Sequence, residues 1–266
     1  LDLHISGRVA VVTGGSGGMG RQIVRFLAAE GAHVAIVGRD AEAGRALAQE
    51  VERDSGATVR AYSADLASDD QVDRAVAQLC ADFGRIDILV NGAALPSAAG
   101  EFERLAELDL DPLLDEINVK VLGYLRSARS VAPHMQERGW GRIINIGGVA
   151  AYLNGALGGS IRTISVGAIT SNLAAQLGPL GITVNCIHPG PTVTERSDHI
   201  IAKVAADQKV SEEEVRRRFA SRSILGRFID AREIAATIAF LCSPLAGAIN
   251  GESLDLSGGC VGMMRY

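Results

Sequence analysis

The stretch from Arg8 to Val12, followed by Thr13-Gly14-Gly15-Ser16-Gly17-Gly18-Met19-Gly20, limits what this chain can fold into more than any other. Val9-Ala10-Val11-Val12 has no polar alternation, the pattern of a central strand covered on both faces. Gly14 then allows a tight turn, and Gly18 and Gly20 let a helix start close to the sheet. A helix that begins there offers free N–H groups and the positive end of its dipole to a pyrophosphate. Gly14, Ser16, Gly18, Met19 and Gly20 are therefore candidate phosphate-binding residues.

Further along, short β-branched runs (His33–Val37, Thr58–Tyr62, Asp87–Asn91, Arg142–Ile146, Ile182–Ile187 and Ser253–Leu256) alternate with helical stretches such as Ala41–Asp54, Asp69–Phe83 and Ala231–Cys242. That rhythm specifies an α/β fold: a Rossmann-type, doubly wound, seven-stranded parallel sheet with helices on both faces. No repeat or Pro/Ser-rich linker divides the chain, so residues 1–266 are expected to form a single domain. The polar stretch Glu195–Ser223 interrupts the rhythm. It contains Ser211 followed by Glu214, a helix-opening signature. The pairs Glu212/Arg216, Glu213/Arg217 and Glu214/Arg218 have the spacing for ion pairs along that helix. It reads either as a solvated insertion or as a lid, since it follows a strand end where ligands sit.

A net charge of −5 argues against nucleic acid or an anionic membrane as partner, because both require a basic face. Cys80, Cys186, Cys242 and Cys260 are widely spaced and suggest reduced thiols, with no metal site. No apolar run reaches spanning length and no charged-then-apolar leader precedes the first strand, so a cytoplasmic location is expected.

After the second strand comes Gly38-Arg39-Asp40. An acid directly after this strand favours a ribose 2′-hydroxyl, whereas an arginine favours a 2′-phosphate. Arg39 therefore favours NADP(H) over NAD(H), although Asp40 sets a negative charge beside it.

The motifs together resemble the short-chain dehydrogenase/reductase family, particularly its 3-oxoacyl-carrier-protein-reductase-like members. The resemblance runs over nearly the whole chain: Thr13–Gly20, Asp65-Leu66, Asn91-Gly92-Ala93-Ala94, Ile117-Asn118-Val119, Gly141–Ile146, the stretch Asn185-Cys186-Ile187-His188-Pro189-Gly190-Pro191-Thr192-Val193-Thr194, and Asn250-Gly251 with Asp255–Gly259. It implies that Asp65 and Leu66 contact adenine. Asn91 and Ala93 add to the dinucleotide site, and Pro189, Gly190, Thr192 and Thr194 belong to the loop that holds the nicotinamide carboxamide. Asn118 matches the helix asparagine of the family's catalytic tetrad. The family also pairs the helices around Asn118–Met135 and Thr163–Leu177 across a two-fold, which implies a homo-oligomer, most simply a tetramer.

The family's serine, tyrosine and lysine have no counterparts. The serine position, after Asn145-Ile146, is Gly148. Counting back from Val184-Asn185 through a helix without gaps places the tyrosine and lysine at Gly159 and Thr163. Counting forward from Gly148 places them at Ile161 and Ser165. The first register is preferred, because loops absorb deletions and helices do not. The chain has only three lysines, Lys120, Lys203 and Lys209, and none lies near this stretch of sequence. Asn118 and His188 remain as candidates, the latter because an imidazole titrates near neutrality. Tyr152 lies in the preceding loop with no lysine four residues on. Three readings stay open: an oxidoreductase on a small carbonyl or hydroxyl substrate without the tyrosine acid, a silent dinucleotide-binding subunit beside an active partner, or a non-redox hydrolase or lyase.

Overall fold

The computed structural model describes residues 1–95, 109–152 and 157–261, apart from the side chain of Arg196. Its strands are β1 (Val9–Thr13), β2 (His33–Gly38), β3 (Val59–Ser63), β4 (Ile88–Asn91), β5 (Gly141–Ile146), β6 (Ile182–Pro189) and β7 (Ser253–Leu256). They form one seven-stranded sheet in the order β3-β2-β1-β4-β5-β6-β7. Every pairing is parallel, with Val12 beside Ile36 on one flank and Val90 on the other. The strand order reverses between β1 and β4, so the crevice beyond their carboxyl ends is where such a sheet receives a ligand.

The unbroken apolar run of β1 serves two cores at once. Ala10 and Val12 face a layer with Ile23, Leu27, Ile234 and Ile238, while Val9 and Val11 face a layer with Leu79, Val131 and Met135. These residues come from helices α1 (Gly18–Ala29) and α9 (Ala231–Leu241) on the first side, and from α3 (Asp69–Phe83) and α5 (Gly123–Gln136) on the second. Helix starts follow local chemistry. Asp40 caps α2 (Ala41–Ser55), Ser68 caps α3, and Asp230 forms a reciprocal capping box with Glu233 on α9.

Two features position the site. Helix α4 (Leu110–Ile117) runs into α5 through a π-turn at Asn118–Leu122. Such turns displace the residues that follow around the helix axis. The other feature is the polar stretch after β6, which forms α7 (Glu195–Gln208) and α8 (Glu212–Ala220), packed on each other through Ile201, Ala205 and Val215. Ser211 caps α8 by accepting the Glu214 N–H. Glu214 pairs with Arg218 and also with Arg217. Arg216, expected to pair with Glu212, reaches Asp198 of α7 at 2.9 Å instead. The sequence spacing describes α8 alone, whereas the neighbouring helix brings a carboxylate closer. Among the described residues no helix is long and apolar enough to cross a membrane.

Candidate active site

A groove of about 600 Å3 opens at the carboxyl ends of β1, β2 and β4. Gly14, Ser16, Gly18, Met19, Gly20, Arg39, Asp65, Leu66, Ala93 and Thr194 all line it. At Gly14, φ is +69°, and a Cβ there would lie 2.8 Å from Ala93 Cα. A Cβ on Gly20 would run into the Gly14 carbonyl oxygen. The turn is therefore closed to side chains and leaves its backbone open to a phosphate. Helix α1 has no side-chain cap and no acid in its first turn, which keeps the positive end of its dipole facing the groove. Thr13 Oγ1 accepts the Gly92 N–H at 3.1 Å and binds the turn to the end of β4.

Arg39 is exposed and makes no hydrogen bond or ion pair with a described residue. Asp40 also lines the groove, and one of its carboxylate oxygens accepts the Ala43 N–H at 2.9 Å as the cap of α2. Asp65 folds onto its own loop, accepting from the Ala67 N–H, and Leu66 is fixed from behind by Arg126, which donates to its carbonyl. On the far wall, Thr194 Cγ2 lies 3.7 Å from where a Gly18 Cβ would be. The glycine turn is also tied to α7, because Arg21 donates to Ser16 O and pairs with Glu195 at 3.2 Å. Glu195 and His199 line this wall and Arg21 pairs with the former, yet no motif in the sequence marked these three.

Asn91, Pro189, Gly190 and Thr192 do not line the groove. Asn91 is buried and donates to Asn145 Oδ1, which starts a chain of contacts to Thr170 on α6 (Leu157–Leu177). Gly190 packs so tightly that a Cβ would lie 2.7 Å from Ser257 Cα. Thr192 Oγ1 donates to Gly190 O and Thr192 bridges to Ile229. This loop is held rigidly from behind.

The inner end of the groove is bounded by Ile146 and Val119. Beside them lie Gly147 and Gly148. A Cβ on Gly148 would come within 3.3 Å of Thr163 Cγ2. Thr163 is 2 % exposed and Gly159 is buried, whereas Ile161 is 43 % exposed. Residues 159 and 163 thus face inward, the orientation expected for the register counted back from Asn185. Asn118 points elsewhere: its side-chain oxygen and its carbonyl both accept from Arg126.

His188 is buried against this same corner. Its Nδ1 lies 3.2 Å from Gly148 N and 3.0 Å from Gly148 O, so either tautomer binds the Gly148 backbone. Its Nε2 is 3.5 Å from Cys186 Sγ, and Tyr152 packs edge-on to its ring at 4.9 Å. Burial pushes the Cys186 thiol up to about 12, so it is neutral at ordinary pH. The ring also fills the space of a missing side chain, because a Gly147 Cβ would sit 2.6 Å from Nδ1.

A cation stands at the corner as well. Lys120, on the π-turn, is 6 % exposed and donates from Nζ to Gly147 O at 2.8 Å. Sequence separation hid this lysine; folding brings it next to the glycine pair. Below it, Arg162 of α6 and Glu116 of α4 form a buried ion pair at 3.0 Å, and Arg162 Nε has no partner among the described residues. The described residues contain no cluster able to hold a metal ion.

A groove of this shape at the switch point of a parallel sheet defines a dinucleotide-binding α/β protein, and comparison with known proteins narrows the class. The family model described as enoyl-(acyl carrier protein) reductase matches residues 14–261. The chain belongs to the short-chain dehydrogenase/reductase family. It is 36% identical to the short-chain reductase protein NovJ of Streptomyces niveus, over 94% of this chain and 93% of that one. It is 37% identical to the (2S)-[(R)-hydroxy(phenyl)methyl]succinyl-CoA dehydrogenase subunit BbsD of Thauera aromatica, over 97% and 98%. Among solved structures, the L-sorbose reductase of Gluconobacter frateurii complexed with NADPH and L-sorbose aligns with a TM-score of 0.92 at 28% identity, covering 99% of this chain and all of that one.

Proposed function

We propose that this chain is an NADP(H)-dependent oxidoreductase that acts on a small carbonyl or hydroxyl substrate without the tyrosine acid of its family. The observation that carries this reading is the groove itself, with an uncapped α1 at its floor and, at its rim, an Arg39 that pairs with no described residue. The glycine cradle fits a pyrophosphate, and Arg39 suits a 2′-phosphate because Asp40 is committed to capping α2. Bound there, the nicotinamide supplies hydride transfer. The chain's own residues hold it and shape the corner around Gly147, Gly148, Thr163 and His188, while α7 and α8 serve as a lid whose hinge is the capped Thr194. Cytoplasmic residence and a homotetramer joined through the π-turn, α5 and α6 complete the reading. Leu122, Ile161 and Ile164 are exposed apolar residues on those elements.

Arg39→Asp is expected to weaken NADPH binding about tenfold to a hundredfold, the range of a charged hydrogen bond, while sparing NADH. Calorimetry that finds equal affinities for the two dinucleotides in the unmutated protein removes the 2′-phosphate argument. Static light scattering at micromolar concentration should return a multiple of the single-chain mass; a monomer ends the tetramer reading.

A second reading, a dinucleotide-binding subunit beside an active partner chain, is favoured by the absence of a hydroxyl at positions 148 and 159. The relative named as a dehydrogenase subunit supports it too. Turnover by the purified chain alone separates the two readings.

A further inference from the structure

Lys203 and Lys209 are exposed on α7 and just after it, whereas Lys120 lies inside the protein. A buried ammonium is kept only where hydrogen bonds replace its water, and here the Gly147 carbonyl is one of its partners. Its location is specific: Nζ reaches the carbonyl of Gly147, and the chain neighbours of both contact residues, Val119 and Ile146, line the inner end of the groove. On the opposite side Thr163 closes on Gly148 and is too short to bring a charge to this point. The π-turn lets α4 and α5 supply from a different helix what α6 lacks.

We propose that Lys120 is the acid catalyst of this chain, giving an ammonium proton to the substrate oxygen at the corner formed by Gly147 and Gly148. The inference rests on the oxidoreductase reading. In the reducing direction the carbonyl carbon gains a hydride from the dihydronicotinamide as the carbonyl oxygen takes the Nζ proton. The products are the alcohol, the oxidised nicotinamide and a neutral amine, which solvent reprotonates. Oxidation runs the same steps in reverse, with the neutral amine as base. Gly147 O accepts one of the three N–H groups of the ammonium and so aims it.

The test uses the full chain with NADPH and a panel of ketones, comparing wild type with Lys120→Met, Lys120→Arg, Tyr152→Phe and the surface control Lys203→Arg. Lys120→Met should lower turnover by about 10²–10⁴-fold, the range for loss of an acid catalyst, and leave NADPH affinity within about tenfold. Lys120→Arg should lose turnover as well, since guanidinium does not release its proton. Lys120→Met with near-wild-type turnover overturns the proposal, and so does loss of turnover in Tyr152→Phe alone. A wild type that binds NADPH but reduces nothing defeats the oxidoreductase reading instead. In that event 13Cε-lysine NMR decides the placement of Lys120. The protein has only three lysines, and Lys203→Arg and Lys209→Arg identify their own signals. The remaining Lys120 signal should move when NADP+ is added; a stationary signal overturns the proposal.

Discussion

Glu116→Ala is expected to destabilise the fold by about 3–5 kcal/mol, measured as a fall in the urea unfolding midpoint with little change in slope. The reason is that Arg162 would be left as an uncompensated charge between α4 and α6. Its Nε already lacks a partner among the described residues, and both side chains of the pair are only about one-tenth exposed. Replacing both residues together by methionine should behave differently. Removing a buried pair in favour of apolar side chains is often neutral or stabilising by about 1–4 kcal/mol. The single and double variants thus form a cycle in which the double is the more stable. A Glu116→Ala protein that unfolds at the wild-type midpoint would show that the pair is hydrated in solution.

The second large effect concerns gain of activity. Restoring Gly148→Ser and Gly159→Tyr should raise NADPH-dependent reduction of simple ketones by about 10²–10⁴-fold over the parent. Extended backbone at Gly148 accepts a side chain, and Thr163 Cγ2 at 3.3 Å needs to yield only slightly. Adding Thr163→Lys restores the complete family set but places a second ammonium near Lys120. The triple variant is therefore expected to gain no more than the double, unless Lys120→Met is added. Steady-state rates on one ketone across the parent and these three variants settle the order. A parent that already reduces simple ketones at about 1–10³ per second, ordinary for enzymes, leaves no room for that gain and contradicts the reading that the chain is slow for want of the family's serine and tyrosine.

Much of this architecture was legible because it depends on local rules. The apolar run at Val9–Val12, the alternation of strand and helix, and the capping residue Ser211 all act within a few residues of themselves. The glycine turn was legible for the same reason, since a Cβ at Gly14 or Gly20 meets backbone. What escaped depends on distance. Lys120 meets Gly147 across 27 positions, and a π-turn has no sequence rule that would have announced it. Glu116 and Arg162 are 46 positions apart, and nothing in their neighbourhoods marks them as partners. Arg21, Glu195 and Asp198 likewise take their roles from how α1, α7 and α8 meet. Spacing along one helix suggested Glu212 for Arg216; a neighbouring helix supplied a different acid.

The imidazole of His188 occupies the volume that a side chain at position 147 would need. The two positions are therefore sterically coupled: a side chain at 147 requires the His188 ring to shift, and with it the contacts of Nδ1 to Gly148 and of Nε2 to Cys186. Position 148 meets a milder limit, a methyl of Thr163 at 3.3 Å that must give slightly. Laboratory lineages selected for a side chain at 147 should therefore accumulate compensating substitutions at 188.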